Sequence, residues 1–493
     1  MAVCRRLGSC TPSHSASNNS LNIHLALLLV YSIGLIAIGL VVARLVHGSA
    51  DFFVAGRRLS APLIFATVLA SNIGAGATVG ATGLGYSDGI SAWWWNGSAA
   101  IGSVFLALFI GPRIWRIASE HNLYTTGDYL ELRYGPSVRA IVASLLWVGT
   151  LSIFAGQLIA GAAVLSVVAH LPRWVGTIIS ASVVTIVFVS GGAISTVWTN
   201  VVQLIVLLLG FMVALPMLLS HVGGLTAVFA NANAPPTFGT ILHSNGPGSG
   251  WMLLVLAPAF VISPGLMQKA YGASSARAVA RGISVQALVL SLFAFAPPLF
   301  GMAARLAHPG LTDPNLVLPT ILVEQLPTAL GALTLAAVFS AEVSTCDALL
   351  FMLATSLSQD LYKRFLRPTA SDAQLLGVAR LAAVAGGLGA VLFALWLPTV
   401  IDALRIFYAL LIATLFVPIV GGLYTRRAGS VEALASIATG VITLLVVKFA
   451  LAGRLPWLDP TLAGVTTAAL AFIVTMVVRR HEPSTGLPTR TPA

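Results

Sequence analysis

Charge is scarce in this chain. Asp, Glu, Lys and Arg make up 8% of its 493 residues, against roughly 25% in soluble domains. That shortage excludes an ordinary water-soluble enzyme or binding domain. Cysteine is nearly absent: Cys4, Cys10 and Cys346 are too few for a disulfide framework. The nine histidines are scattered singly, and no HExxH, CxxC or Walker motif occurs. A membrane-embedded enzyme would need clustered ligands or nucleophiles of that kind, so none is expected here.

Apolar length is what the chain has instead. Hydrophobic residues make up 57%, in runs near the roughly 20 residues that span a bilayer. Thirteen are read, at about 21–46, 60–85, 93–117, 138–169, 173–190, 198–220, 250–268, 281–304, 328–358, 376–397, 399–422, 429–451 and 458–478. Lipid offers free backbone groups no partner, so the prediction is an all-α polytopic membrane protein. The lipid bilayer is its first partner, and at most weak self-association is expected. Residues 1–20 are Ser/Asn-rich and read as a disordered tail. The run at 21–46 is too long for a signal peptide and reads as a retained helix. Residues 479–493 read as a short polar tail, with no soluble output domain expected.

A net charge of +11 raises the question of a nucleic-acid partner, but its distribution answers differently. With the N-terminus outside and thirteen spans, eighteen of the 26 Lys and Arg residues, Lys269 among them, fall on the cytoplasmic side and five outside. Arg380, Arg405 and Lys448 stay in or near spans. Such asymmetry sets orientation, so basicity reports topology in the plasma membrane and no nucleic-acid partner is expected.

Polarity inside the spans is concentrated. Ser340–Asp347 reads SAEVSTCD, with two acids and three hydroxyls. An Asp at mid-span costs about 2.5–3.5 kcal/mol on insertion scales, so such groups face a cavity, an ion path or a partner. Ala341, Ser344 and Thr345 stand at i, i+3 and i+4 on one helical face, with Glu342 and Asp347 flanking it. Oxygens so arranged suit a small hard cation. The competing reading is hydroxyls bonded back to their own helix, with the acids paired to basic groups. Two spans are also interrupted, by Ser71-Asn72-Ile73-Gly74-Ala75-Gly76 and by Ser263-Pro264-Gly265. Paired breaks point to an inverted-repeat transporter with a midplane site; close helix packing through small residues is the other explanation.

Several motifs resemble the sodium/solute symporter family: DFFVAGRRL (51–59), ASNI (70–73), TTGDYLELRYG (125–135), GGAISTVWTNVVQ (191–203), QKAYGASSARAVARG (268–282), SAEVSTCDALLFMLATSLSQDLYKRF (340–365) and GGLYTRRAGSVEAL (421–434). The resemblance implies a leucine-transporter-type fold, an inverted 5+5 helix repeat with one helix before (21–46) and two after (429–478). The repeats would be 60–220 and 250–422. It also implies sodium as the coupling ion, held by Ala70, Ile73 and Ala341 carbonyls and by the Ser344 and Thr345 hydroxyls.

Two departures stand out. Asn200 is neutral where members often carry Asp, and Glu342 stands where they often carry an apolar residue. Glu342 then either serves the cation, carries a coupling proton or pairs with a base; Asn200, Glu342 and Asp347 are coupling or gating candidates. The region matching the sugar site of sugar-transporting members is mostly small or apolar, which argues against sugars, whose hydroxyls would lose partners. Asn72, Thr78, Asn96, Gln157, Phe260 and Ser263 are expected to meet a small-molecule solute, unless their polar groups only bridge helices. Trp93, Trp94 and Trp95 are read as an interface belt, and Asp402 with Arg405 as a local ion pair. The expected activity is sodium-coupled symport of a monocarboxylate, amino acid or similar solute, with proton coupling through Glu342 or a transporter-like sensor as alternatives.

Overall fold

The structure is a computed structural model that describes residues 23–34, 37, 41, 55–231, 234–242, 248–451, 454, 455 and 457–479, with backbone alone at 55, 187 and 190–198. The expected tails at 1–20 and 480–493 lie outside the described residues, as does much of 21–46. Among the described residues, ten helical stretches are long and apolar enough to cross a membrane, with three shorter apolar helices beside them. The thirteen expected spans therefore arrive partly as pieces.

In chain order the helices are α1 (Ile23–Gly34), α2 (Ala61–Asn72), α3 (76–88), α4 (89–120), α5 (Thr126–Tyr134), α6 (Pro136–Ala169) and α7 (Arg173–His221). There follow α8 (Met252–Val261), α9 (Pro264–Tyr271), α10 (Ala276–Ala307), α11 (Thr328–Leu366), α12 (Asp372–Trp396), α13 (Val400–Tyr424), α14 (Ser430–Leu451) and α15 (Pro460–Val478). The boundary between α3 and α4 is Gly89, at φ 75 and ψ −146, a backbone conformation open to glycine alone among common residues.

Both predicted breaks are real, for local reasons. α2 stops at Asn72, and Ile73 leaves the helix at φ −92, ψ 81. Gly74 continues the gap because Thr345 and Gln157 lie against it: an added Cβ would fall 2.7 Å from Gln157 Oε1. At the second break Pro264 cannot extend α8 but opens α9 as its first residue, and it forces Ser263 out of the helical region, to ψ 117.

α7 would be about 70 Å long if straight. Yet Arg173 donates to Leu397 and Ala394 carbonyls, while His221 meets Gln325. These partners share one face, because Asn315 bonds Pro398 and Gln325 bonds His308. The stretch therefore folds back into two antiparallel arms, Arg173–Ile186 and Thr199–His221. The opposite, basic face carries Arg57, whose guanidinium ties the turn after α9 (Tyr271 carbonyl, 3.2 Å) to Leu123 (2.7 Å).

α11 is the core helix. Its most apolar window is wholly buried, so SAEVSTCD faces protein on all sides. α7 packs on it along its length, and Tyr31 of α1 donates to Ser340 Oγ at 2.6 Å. α2 and α3 pack on α10, α8 on α4, and α6 on α12 and α13. Leu288, Leu292, Leu388, Leu392 and Phe449 point outward, forming an apolar surface suited to lipid.

Candidate functional site

Ser344 and Thr345 turn toward the break after α2. Ser344 Oγ lies 2.7 Å from the Ala70 carbonyl and 2.9 Å from that of Ala341. Thr345 Oγ1 donates to the Ser71 carbonyl at 3.2 Å. Ala70, Ala341, Ser344 and Thr345 are thus brought together as the resemblance implied. Ser71, absent from that list, supplies the carbonyl facing Thr345, while Ile73 sits buried at the break itself. Back-bonding within α11 occurs at Ser344, but it does not exhaust the hydroxyls' contacts.

Next to this cluster lies a cavity of about 70 Å³ between the two breaks. Asn72, Asn96, Gln157, Phe260 and Ser263 line it, together with Gly74 and with Ser71 and Thr345 from the oxygen cluster. Gln157 Oε1 accepts the Ala75 N–H at 2.7 Å, and Asn96 donates to the Ala77 carbonyl at 3.0 Å. The Asn72 side-chain amide nitrogen is buried without a partner. Thr78 does not line this cavity; its hydroxyl donates to the Gly74 carbonyl one turn back.

The sequence reading missed Met352, Leu404, Phe407 and Tyr408, which line the cavity beside Trp95. Trp95 is a core residue packed edge-on to Tyr408, a correction to the interface-belt reading. Trp94 is half-buried, donating to the Ile241 carbonyl. Only the paired breaks hinted at where these aromatics would point.

The flanking acids diverge. Glu342 is 2% exposed and lies beside Ser180 and Gly161, its Oε1 unpartnered. No ion pair to it occurs among the described residues, so the expected basic partner is not found. Asp347 has neither carboxylate oxygen bonded. Asn200 donates to Thr67 Oγ1 at 3.0 Å. No Asp402–Arg405 ion pair occurs among the described residues: Asp402 accepts the Thr399 hydroxyl at 2.6 Å, and Thr399 caps α13 by accepting the Asp402 N–H. Lys269, expected in a basic-face loop, is instead half-buried on α9, with its ammonium against α2.

Two larger cavities flank the centre. One of about 410 Å³, on the face opposite the basic one, is lined by Gly80, Arg305, Asn315 and Asp402. One of about 660 Å³ on the basic face is lined by Asp128, Glu131, Arg139 and Arg364. A crevice of about 20 Å³ shares Met352 with the central cavity and runs to Asp360.

A family model described as "Sodium:solute symporter family" matches residues 52–440. The chain belongs to that family. Sodium-coupled solute symport is its activity, in a multi-pass membrane protein. The symporter is 26% identical to the sodium/glucose cotransporter of Vibrio parahaemolyticus, over 80% of this chain and 74% of that protein. It is 28% identical to the sodium/pantothenate symporter of Escherichia coli, over 86% and 89%. Its fold is similar to a sodium-coupled sialic acid symporter solved substrate-bound and outward-open, with TM-score 0.77, 20% identity, and 94% and 99% of the two chains covered.

Proposed function

We propose that this symporter carries a small monocarboxylate or amino acid inward with sodium bound at Ala70, Ile73, Ala341, Ser344 and Thr345. The observation that carries this reading is the shared wall: Ser71 and Thr345 belong to both the oxygen cluster and the central cavity. A cation entering the cluster turns both hydroxyls from donors into acceptors and fixes the α2 break against α11. That in turn sets the shape of the solute cavity.

The helix pairings support an inverted five-plus-five repeat within thirteen spans. Exchanging α2/α3, α4, α6 and the arms of α7 for α8/α9, α10, α11, α12 and α13 maps each main pairing onto another. The packing of α2 on α10 becomes that of α8 on α4, and α6 on α13 becomes α11 on α7. The arginine asymmetry puts the basic face in the cytoplasm and the N-terminus outside.

Solute class follows from the cavity. At roughly 10–15 Å³ per water-sized centre, 70 Å³ takes on the order of five heavy atoms. Gly265 and Leu266, in the first turn of α9, open onto it with the free Asn72 amide, donors suited to a carboxylate. Trp95, Phe260 and Tyr408 enclose the remainder. For a zwitterionic amino acid, the one sodium charge crossing about 100 mV supplies about 2.3 kcal/mol, which sustains a roughly 40-fold solute gradient at 1.4 kcal/mol per tenfold. A monocarboxylate anion cancels that charge and draws on the sodium concentration gradient alone.

Proteoliposome uptake under a sodium gradient tests the reading: small acids or amino acids are taken up and sugars neither enter nor compete. Asn72→Leu should raise the solute half-saturation about 10- to 100-fold, the worth of one hydrogen bond to a charged group. Uptake of glucose alone overturns the assignment. The unpaired Glu342 carboxyl favours one second reading, proton coupling. Uptake driven by a pH gradient in sodium-free buffer, lost in Glu342→Gln, would establish it.

A further inference from the structure

Lys269 lies one turn beyond the cavity-lining Gly265 on α9, and its ammonium is held almost entirely by α2. It donates to the Thr67 carbonyl at 2.8 Å, to Thr67 Oγ1 at 3.0 Å and to Ser71 Oγ. Ser71 is the residue whose carbonyl faces Thr345, so the ammonium sits one residue's width from the sodium cluster. Asn200 shares the Thr67 hydroxyl, and its own Oδ1 is buried without a partner. Asp347 lies on α11 two residues beyond Thr345. It is 1% exposed with both oxygens unbonded, and no ion-pair contact joins it to Lys269 among the described residues.

An ammonium bonded to three oxygens is what a dehydrated monovalent cation would look like there. The same oxygens, freed of Lys269, form the start of a donor set for sodium: the Thr67 carbonyl and hydroxyl and the Ser71 hydroxyl. The unbonded Asn200 Oδ1 and Asp347 carboxylate are the ligands that would complete it.

We propose that the Lys269 ammonium takes the place of a second coupling cation, so that one sodium travels with each solute. The proposal rests on the sodium reading above for the first ion. Its readout is a difference between variants, however, and stands wherever that first ion sits. A tethered cation cannot leave, so the Thr67–Asp347 cluster stays charge-balanced in every state of the cycle without drawing on the sodium gradient. Asn200 fits this arrangement, because an acid at 200 would leave one carboxylate too many for one lysine.

The test counts ions. Radiolabelled sodium bound per purified protein, and the Hill coefficient for sodium in uptake, should be one for the wild type. Lys269→Met should raise both toward two, and Lys269→Met/Asp347→Asn should return them to one. Adding Ser344→Ala/Thr345→Ala to Lys269→Met should leave a single bound ion, which separates failure of the first site from failure of this proposal. A wild type that binds two ions, or a folded Lys269→Met that binds the same number as the wild type, overturns it. If Lys269→Met alone does not fold, the sodium affinities of Asp347→Asn and Lys269→Met/Asp347→Asn decide. In Asp347→Asn the unopposed ammonium should weaken sodium binding about tenfold, and the charge-balanced double variant should restore it. An unchanged affinity in Asp347→Asn overturns the proposal.

Discussion

Replacing Ser344 and Thr345 together by alanine is expected to abolish sodium-stimulated solute binding while leaving the folded protein largely intact. Each hydroxyl offered to an ion is worth about 1.5–3 kcal/mol, so losing two weakens sodium binding by about 10²- to 10⁴-fold at 1.4 kcal/mol per tenfold. Folding should survive because both side chains are small, and the carbonyls they now meet, Ala70 and Ser71, lie at the end of α2, where a water can substitute. Solute binding by the purified double variant, titrated with sodium, is the measurement. Normal sodium dependence would show that the coupling ion sits elsewhere. Because Thr345 also lines the solute cavity, the single variants separate two effects. Ser344→Ala should change sodium affinity alone, and Thr345→Ala should change sodium and solute affinity together.

Much of this site was legible in the chain because its chemistry conflicts with its surroundings. Hydroxyls and acids in an apolar span, and a proline and glycines at mid-span, are costly unless they serve something, and the structure brings both breaks and the SAEVSTCD turn together. What was not legible depends on depth and direction, which composition does not encode. Counting charges by position put Lys269 in a basic-face loop, yet α9 runs on to Tyr271 and carries the ammonium back against Thr67. Trp95 read like an interface aromatic, and Tyr408 drew no reading, because nothing in an apolar span marks which side faces a cavity. Thr78 looked free to reach a ligand, but its own turn supplies an acceptor at Gly74, the common fate of a threonine within a helix. Asp402 and Arg405 have ion-pair spacing, yet the capping contact with Thr399 holds the acid at the helix start.

The same attention to direction identifies the residue whose loss should cost most in stability. Arg139, in the first turn of α6, is a charge that topology counting treated as one more cytoplasmic arginine. Its guanidinium meets Asp128 at 2.7 Å, Glu131 at 2.8 Å and Asp360 at 2.8 Å, and it donates to the Gln359 carbonyl at 3.1 Å. The π-helical end of α11, Ser356–Leu366, brings Gln359 and Asp360 to it, and Thr125, the cap of α5, donates to Asp360 at 2.5 Å. One side chain therefore joins α5, α6 and α11 where the crevice from the central cavity meets the basic face. Arg139→Ala leaves the acids crowded there without their shared cation, and breaking a buried pair in this way costs about 3–5 kcal/mol. The expected result is a large fall in the thermal midpoint of the purified symporter. Arg139→Lys should recover only part of it, because a point charge cannot reproduce the guanidinium fork. Arg139→Met/Asp360→Asn should recover more than Arg139→Ala retains, since it removes the uncompensated acid along with its partner. Closure of this end should loosen too, so a cysteine placed at Met352, between the central cavity and the crevice, should react faster with a thiol reagent from the basic side in Arg139→Ala. Equal stability and equal labelling in wild type and Arg139→Ala would reduce the network to surface decoration and remove the physical basis for a latch on the inner passage.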